Sequence, residues 1–218
     1  MKVVFFDFDK TLTKVDTLLL FAFFVSIQTK KVYKIIFVFY VFVLFRIKII
    51  KNLSFKQIFA KILFFKMSSN LLLYYSDQFF KKYLNILKLD ESLKILQKNV
   101  AMGNKVYIVS SNFDIFLTPL TDRWKVNGII ATELEVIDNI VTGNLKGLPC
   151  DGVEKLRRVL EKIDIDSVKR ADAYGDSKGD YDLLNFVKNG YWIRCHKRWC
   201  HYHFTEFRKD NSNTTQLG

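Results

Sequence analysis

The sequence predicts an α/β fold built on a parallel sheet and interrupted by a mainly helical insertion. Three observations predict it. A short apolar run, Lys2 to Phe8, ends in acidic residues and is rich in Val and Phe, as a strand buried on both faces reads. Further apolar runs alternate with helical patterns in the second half of the chain. Between them, Thr17 to Lys88 contains no Gly and no Pro and is rich in Leu, Ile, Phe, Tyr and Lys.

The 218 residues suffice for one domain carrying an insertion. Half are hydrophobic and 21 are Phe, which excludes a disordered chain. The net charge of +12 suits an anionic partner. No nucleic-acid-binding signature accompanies it, so no nucleic acid is expected. Three cysteines, Cys150, Cys195 and Cys200, argue against a disulfide framework and for a reducing cytosol. Asp7 and Asp9 interrupt the N-terminus before a signal-peptide core could form, so a cytoplasmic protein is expected.

After the first strand, residues 17–88 read as a helical cap. A helix over Asp90–Ala101 ends at Gly103-Asn104. Lys105–Val109 reads as a second buried strand and Ile129–Ala131 as a third. Thr132–Ile137 and Ile140–Leu145 flank Asp138-Asn139 as a hairpin. Asp151–Lys162 reads as a helix with Val153, Leu156, Val159, Leu160 and Ile163 at apolar spacing. Asp172–Gly175 is a strand, Tyr181–Lys188 a helix and Tyr191–Arg194 a last strand. The expected division is a core of 1–16 and 89–205, a cap of 17–88 and a polar tail of 206–218.

Ligands of open α/β sheets bind beyond the carboxyl ends of the strands. There the sequence places Asp7 and Asp9, then Ser110, Ser111 and Asn112, then Asp176 and Asp180. Any one Asp could be a turn or cap residue. Four carboxylates, a hydroxyl-bearing turn and a lysine in this order form a constellation.

FFDFDKTLT (5–13) fits DxDxT, VYIVSSN (106–112) is a strand ending in Ser, CDGVEKLRRVL (150–160) heads a helix with Lys155, and YGDSKGDYDLL (174–184) fits GDSxxDxxLL. This set resembles the haloacid dehalogenase (HAD) superfamily of phosphohydrolases over residues 2 to about 195. The resemblance implies a Rossmann-like doubly wound sheet and a Mg²⁺-dependent phosphomonoesterase. It implies Asp7 as nucleophile and metal ligand, and Asp9 as acid–base with its carbonyl on the metal. Asp176 would be a further ligand, and Asp180 a ligand through water or an orienting group. Ser110 and neighbouring backbone N–H groups, with Ser111 and Asn112, would hold the phosphoryl group. Lys155 would stabilise its charge, with Lys146 as competitor; the G-x-x-K frame at Gly152–Lys155 is similar to the phosphoserine-phosphatase branch.

Asp16, nine residues after Asp7, stands where that branch carries a substrate-reading Glu. No arginine matches the branch's carboxylate reader, since only Arg46 precedes Arg123. The run IIFVFYVFVLF (35–45) is apolar on every side and flanked by Lys30, Lys31, Lys34, Arg46, Lys48 and Lys51. Eleven residues are too few to span a bilayer. The run is a buried cap helix or an interfacial one meeting anionic headgroups. A looser resemblance, on cap composition, is to the branch holding phosphatidylglycerophosphatase C. The expected substrate is therefore a lipid phosphate at a cytosolic membrane face. The alternatives are a soluble phosphoserine-type metabolite, or a non-catalytic membrane or partner adaptor. Cys195, His196, Cys200, His201 and His203 crowd together, but their spacing matches no common zinc site.

Overall fold

In the computed structural model, which describes residues 1–195 and 202–206, the sheet is built around β1 (Val3–Phe6). All four β1 side chains are buried. Helices α1 (Leu18–Gln28), α2 (Lys34–Arg46), α3 (Asn52–Phe64) and α4 (Ser69–Leu87) follow. Then come α5 (Asp90–Ala101), β2 (Lys105–Phe113), α6 (Asp114–Leu117), α7 (Leu120–Trp124) and β3 (Gly128–Thr132). A hairpin of β4 (Leu134–Ile137) and β5 (Ile140–Leu145) leads to α8 (Val153–Lys162) and α9 (Ile165–Lys169). The chain continues through β6 (Asp172–Gly175), α10 (Tyr181–Phe186), β7 (Asn189–Cys195) and β8 (Tyr202–Glu206).

The sheet order is β3-β2-β1-β6-β7-β8. The first five strands are parallel and β8 is antiparallel to β7. This is the α/β parallel sheet that the sequence predicts. The period of two along β1 divides its side chains: Val4 and Phe6 enter one apolar cluster with α1–α6, whereas Val3 and Phe5 enter another with α8–α10. Sheet and helices on both faces are thus one doubly wound core.

Several boundaries differ from the sequence reading. β2 runs on through Ser110–Asn112 to Phe113, with an irregular register against β3 from Ser110, so these residues lie in extended chain and not after the strand. The helix expected from Asp151 begins at Val153, which is exposed and no part of the apolar face. α10 stops at Phe186 because Val187–Gly190 turns into β7, where Gly190 packs on the Leu184 carbonyl and admits no side chain. The short helices α6, α7 and α9 carry too few residues for a periodicity to register. The expected hairpin is present, and Asp138 and Asn139 both adopt positive φ, 48° and 63°, as a two-residue turn of this hand requires. The Cys/His cluster lies outside the described residues, except that the backbones of Cys195 and His203 belong to β7 and β8.

Phenylalanine does most of the packing between α1–α4 and the sheet. Phe116 stacks on Phe21 at 4.1 Å and on Phe80 at 4.8 Å. Phe80 meets Phe8 edge-on at 6.0 Å. Phe113 sits between Phe59 and Phe64 at 6.0 and 5.8 Å. One apolar cluster therefore runs from the β1 loop into the helical segment. The hairpin adds a polar clasp. Ser69 N–H donates to the Asn139 carbonyl at 2.8 Å, Lys66 N–H to the Val141 carbonyl at 3.0 Å, and Val141 N–H to the Met67 carbonyl at 2.8 Å.

Among the described residues no helix is long and apolar enough to cross a membrane. α2 nonetheless shows an unusual surface. Val38 and Val41 face inward, while Ile36, Phe37, Phe39, Tyr40 and Val43 are exposed. Neither sequence reading is complete: α2 is buried on one side and apolar on the other.

Phe116→Ala would open a cavity at the centre of this aromatic cluster. It should cost about 3–5 kcal/mol of unfolding free energy, measured by urea denaturation. A loss below about 1 kcal/mol would mean that the cluster does not hold the helices to the sheet.

Candidate active site

β1 ends at Phe6, and the chain then turns sharply. The amides of Thr11, Leu12 and Thr13 all point to the Phe8 carbonyl, and Lys10 takes a positive φ of 60°. Phe8 is fully buried against Phe80 and Trp124. Its anchorage sends Asp7 and Asp9, on either side, toward one cavity. In a continuing strand Asp7 and Asp9 would share a face opposite to Phe8; the turn keeps that relation while ending the strand. Asp7 N–H donates to the Tyr174 carbonyl at 2.9 Å, fixing the loop to the end of β6.

Lys155, on the first turn of α8, is buried and donates to Asp7 Oδ1 at 2.8 Å and to Asp180 Oδ1. Asp180 Oδ2 accepts from Asp176 N–H at 3.1 Å, Ser177 N–H at 2.9 Å and Ser177 Oγ at 3.0 Å. Both Asp180 oxygens are therefore taken by protein donors. Asp7, Asp176 and Asp180 each bring one carboxylate oxygen to within 4.8 Å of the others. This approach demands glycine nearby: a Cβ on Gly175 would lie 2.6 Å from Asp180 Cβ, and one on Gly179 would lie 1.9 Å from Asp151 Oδ1. Lys146 is exposed and stands beside Glu133, away from the cavity.

Asp9 is held from the other side. Its Oδ1 accepts from Thr17 N–H at 2.8 Å and Thr17 Oγ1 at 2.7 Å, and its Oδ2 from the Asn112 amide at 3.1 Å. Asn112 is buried and does not line the cavity, so it props Asp9 instead of facing it. Ser110 and Ser111 do line it, and Ser110 Oγ accepts from Asn112 N–H at 3.1 Å. Asp16 is exposed at the cavity rim, where its Oδ1 accepts from Leu18 N–H at 3.1 Å.

The electrostatics follow from crowding. Burial, with Asp180 adding and Lys155 opposing, pushes the Asp7 carboxyl up to about 7. Burial, followed by Asp7 and Asp180, pushes Asp176 up to about 8. Asp9 rises to about 7 through burial and Asp16, against the Thr17 hydrogen bonds. Burial pulls Lys155 down, but Asp180 and Asp7 outweigh it and hold it well above the ordinary lysine value. One ammonium among three carboxylates leaves negative charge unbalanced. The donors are hard oxygens, as Mg²⁺ prefers, so the residues fit that ion.

A second cavity, of about 210 Å³, opens from the first and shares Asp9, Asp16, Ser111, Asp151 and Ser177 with it. Its other wall is apolar, formed by Leu18, Leu19, Phe42, Phe45 and Phe55, with Lys56 and Asn52 among them. Asn52, at the start of α3, donates to Asp151 Oδ2 at 2.9 Å and ties the helical segment to the rim. Thr17, Asn52, Lys56, Asp151 and Ser177 escaped the sequence reading. Asp151 and Ser177 sit beside residues that it did single out. Nothing in sequence spacing brings Thr17, Asn52 or Lys56 to the site.

Known proteins resemble this chain in both sequence and fold. A histidinol-phosphatase of Neisseria meningitidis serogroup C (strain 8013) is 28% identical over 99 residues, 43% of this chain and 45% of that protein. The chain thus spans about half the length of the curated relative it matches. A Bordetella pertussis Tohama I protein of unknown function shares the fold with a TM-score of 0.78 at 18% identity, over 87% of this chain and 88% of that one. A phosphoserine phosphohydrolase-like protein of Francisella tularensis SCHU S4 does so with a TM-score of 0.59 at 23% identity, over 87% and 86%. The model of the HAD family, described as haloacid dehalogenase-like hydrolase, matches residues 4–185, from β1 to α10, and the chain therefore belongs to that family.

Proposed function

We propose that the protein is a Mg²⁺-dependent phosphomonoesterase that works through a phosphoaspartate on Asp7. The observation that carries this reading is the Asp7–Lys155–Asp180 bridge, with Asp176 beside it and Asp9 on the adjoining wall. Asp7 and Asp176, with the Asp9 carbonyl, would hold the metal. When bound, Mg²⁺ would supply charge neutralisation to a phosphoryl group that otherwise repels an anionic nucleophile. Asp180, both oxygens already engaged, orients Lys155 and the Asp176–Ser177 turn.

Asp7 attacks phosphorus, and the ester oxygen leaves with a proton from Asp9. The Asp9 carboxylate then takes a proton from water, whose oxygen attacks phosphorus and frees Asp7 and inorganic phosphate. A carboxyl near 7 suits both halves of this cycle at neutral pH. Thr17 and Asn112 keep Asp9 aimed away from the metal ligands. Lys155 and Ser110 hold the phosphoryl oxygens.

The apolar second cavity supports an amphiphilic substrate, a lipid phosphate, over a small soluble one. The exposed apolar face of α2 supports the same reading. Between Asp16 and Asp77 the chain carries nine lysines and arginines and no carboxylate, the charge pattern of a surface that meets anionic headgroups. The phosphatidylglycerophosphatase-like substrate belongs to this reading. A soluble phosphoserine-type substrate would leave the α2 surface without a role. An adaptor without catalysis would need neither Asp9 nor its two supports.

Asp7→Asn should lower turnover of p-nitrophenyl phosphate by at least about 10³-fold, and Asp9→Asn should let phosphoenzyme accumulate, seen as acid-stable label on the protein. Near-normal turnover by Asp7→Asn would end the mechanism. The raised Asp7 and Asp176 carboxyls mean that the folded, metal-free protein binds extra protons between roughly pH 4 and 8, so its stability falls as pH rises across that window. Mg²⁺ competes with those protons. The Mg²⁺-induced rise in melting temperature should therefore be small near pH 5.5 and grow toward pH 8; a rise independent of pH would refute the assignment of these ligands. Replacing Phe37, Phe39 and Tyr40 together with Ser should abolish sedimentation with vesicles rich in anionic lipid while leaving p-nitrophenyl phosphate turnover intact. Unchanged sedimentation would remove the membrane from the reading.

A further inference from the structure

Three cations are buried among the described residues: Lys56, Lys155 and Arg158. Lys155 meets two carboxylates. Arg158 meets Glu154 and Glu133 and the carbonyls of Ala131, Lys146 and Leu148. Lys56 is 5% exposed, yet its Nζ has no hydrogen bond or ion pair to any described residue. It rests over the Phe113 ring, 5.2 Å from the centroid, and 6.0 Å from that of Phe55. Those rings soften the loss of water but supply no counter-charge. Burial pulls the ammonium down, and the facing carboxylates Asp16, Asp9 and Asp151 oppose this from a distance. Asp9 is already committed to Thr17 and Asn112, and Asp151 to Asn52.

An ammonium on a buried side chain, opening only onto a cavity and with no counter-charge beside it, is costly, and a hydrophobic residue of the same length would pack there at less cost. Its position explains the cost. Lys56 lines the second cavity, which adjoins the aspartate site at Asp9, the side from which an ester oxygen would leave. The phosphoryl end of a substrate is served by Lys155, so Lys56 faces the organic part.

We propose that Lys56 binds a second anionic group, a carboxylate or a phosphodiester, on the leaving-group side of the ester. The substrate class is then a phosphomonoester with a separate negative charge, its apolar remainder seated against Phe42, Phe45 and Phe55. This rests on the phosphomonoesterase reading and adds the specificity of the same site. The bound anion supplies the counter-charge that the protein lacks, and Asp16 at the rim disfavours any longer anionic extension in that direction.

The test compares wild type, Lys56→Met and Lys56→Arg at saturating Mg²⁺ on matched esters. Phosphatidylglycerophosphate and phosphatidic acid in the same detergent micelles differ by a phosphodiester. Phosphoserine and glycerol 2-phosphate test a carboxylate, and p-nitrophenyl phosphate offers no second anion. Wild type should prefer one second-anion ester over its matched partner, which names the anion. Lys56→Met should lower kcat/KM on that ester by about tenfold or more and leave p-nitrophenyl phosphate within about twofold. Lys56→Arg should keep most of the preference. Lys56→Met should also melt at or above the wild-type temperature, because it removes an uncompensated charge. Equal losses on every ester together with a lower melting temperature would mark Lys56 as structural and overturn the proposal. No wild-type preference in either pair, or a preference unchanged in Lys56→Met, would overturn it as well. Turnover of p-nitrophenyl phosphate by wild type and its loss in Asp7→Asn report on the phosphatase reading separately, so a flat Lys56→Met profile counts against the second-anion site alone.

Discussion

The ammonium of Lys155, buried between Asp7 and Asp180, is the contact on which the site depends. Removing one partner of such a group would leave charge stranded in a low dielectric, so all three must be present together. The bridge also joins distant parts of the chain. Asp7 follows β1, Lys155 lies in the first turn of α8, and Asp180 follows β6. Their meeting fixes how α8 and the β6 turn sit against the central strand. Asp180 passes the constraint on through the Asp176 and Ser177 amides, so the carboxylate edge of the site inherits its geometry from the same lysine.

Aromatic packing supplies the second constraint. Phe8 stands between the two aspartates and is locked into the core by Phe80 and Trp124. The apolar cluster that holds α1–α4 to the sheet is therefore the same one that holds the Asp7–Asp9 loop. The cost of this economy is mechanical. The helical segment cannot be repacked freely without disturbing the loop, because close-packed interiors transmit strain. The Asn52–Asp151 bond and the clasp at Ser69–Asn139 give polar anchors at two further points.

The site is a polar pocket that opens into an apolar one. Carboxylates, Lys155 and the β2 serines form the first, and α1, α2 and α3 form the second. Phosphoryl chemistry would fall to the former, and selection of the organic group to the latter. α2 belongs to both settings. Its inner face supplies Phe42 and Phe45 to the pocket, and its outer face carries aromatic and aliphatic side chains in water.

Much of the fold was legible because its signals are local. β1 and the first half of β2 declare themselves as short apolar runs, and Asp138-Asn139 as a turn whose backbone requires positive φ. Asp7, Asp9, Ser110, Lys155, Asp176 and Asp180 stand in motifs whose order along the chain matches the order of strands. Other features had no local signal. Lys56 reads in sequence as one lysine of a basic helix, and only the packing of α3 against β2 buries it over Phe113. Thr17 reaches Asp9 because the loop after β1 folds back, and Asn112 turns from a presumed ligand of substrate into a support because β2 extends past Ser110. α2 looked uniformly apolar, and the way it packs against α1 and α3 chose which side was covered. Residue type and spacing specify backbone preference and burial tendency, which act within a few residues. Which side chains meet, and which charges are left without a partner, depends on distances between segments that the chain brings together only on folding.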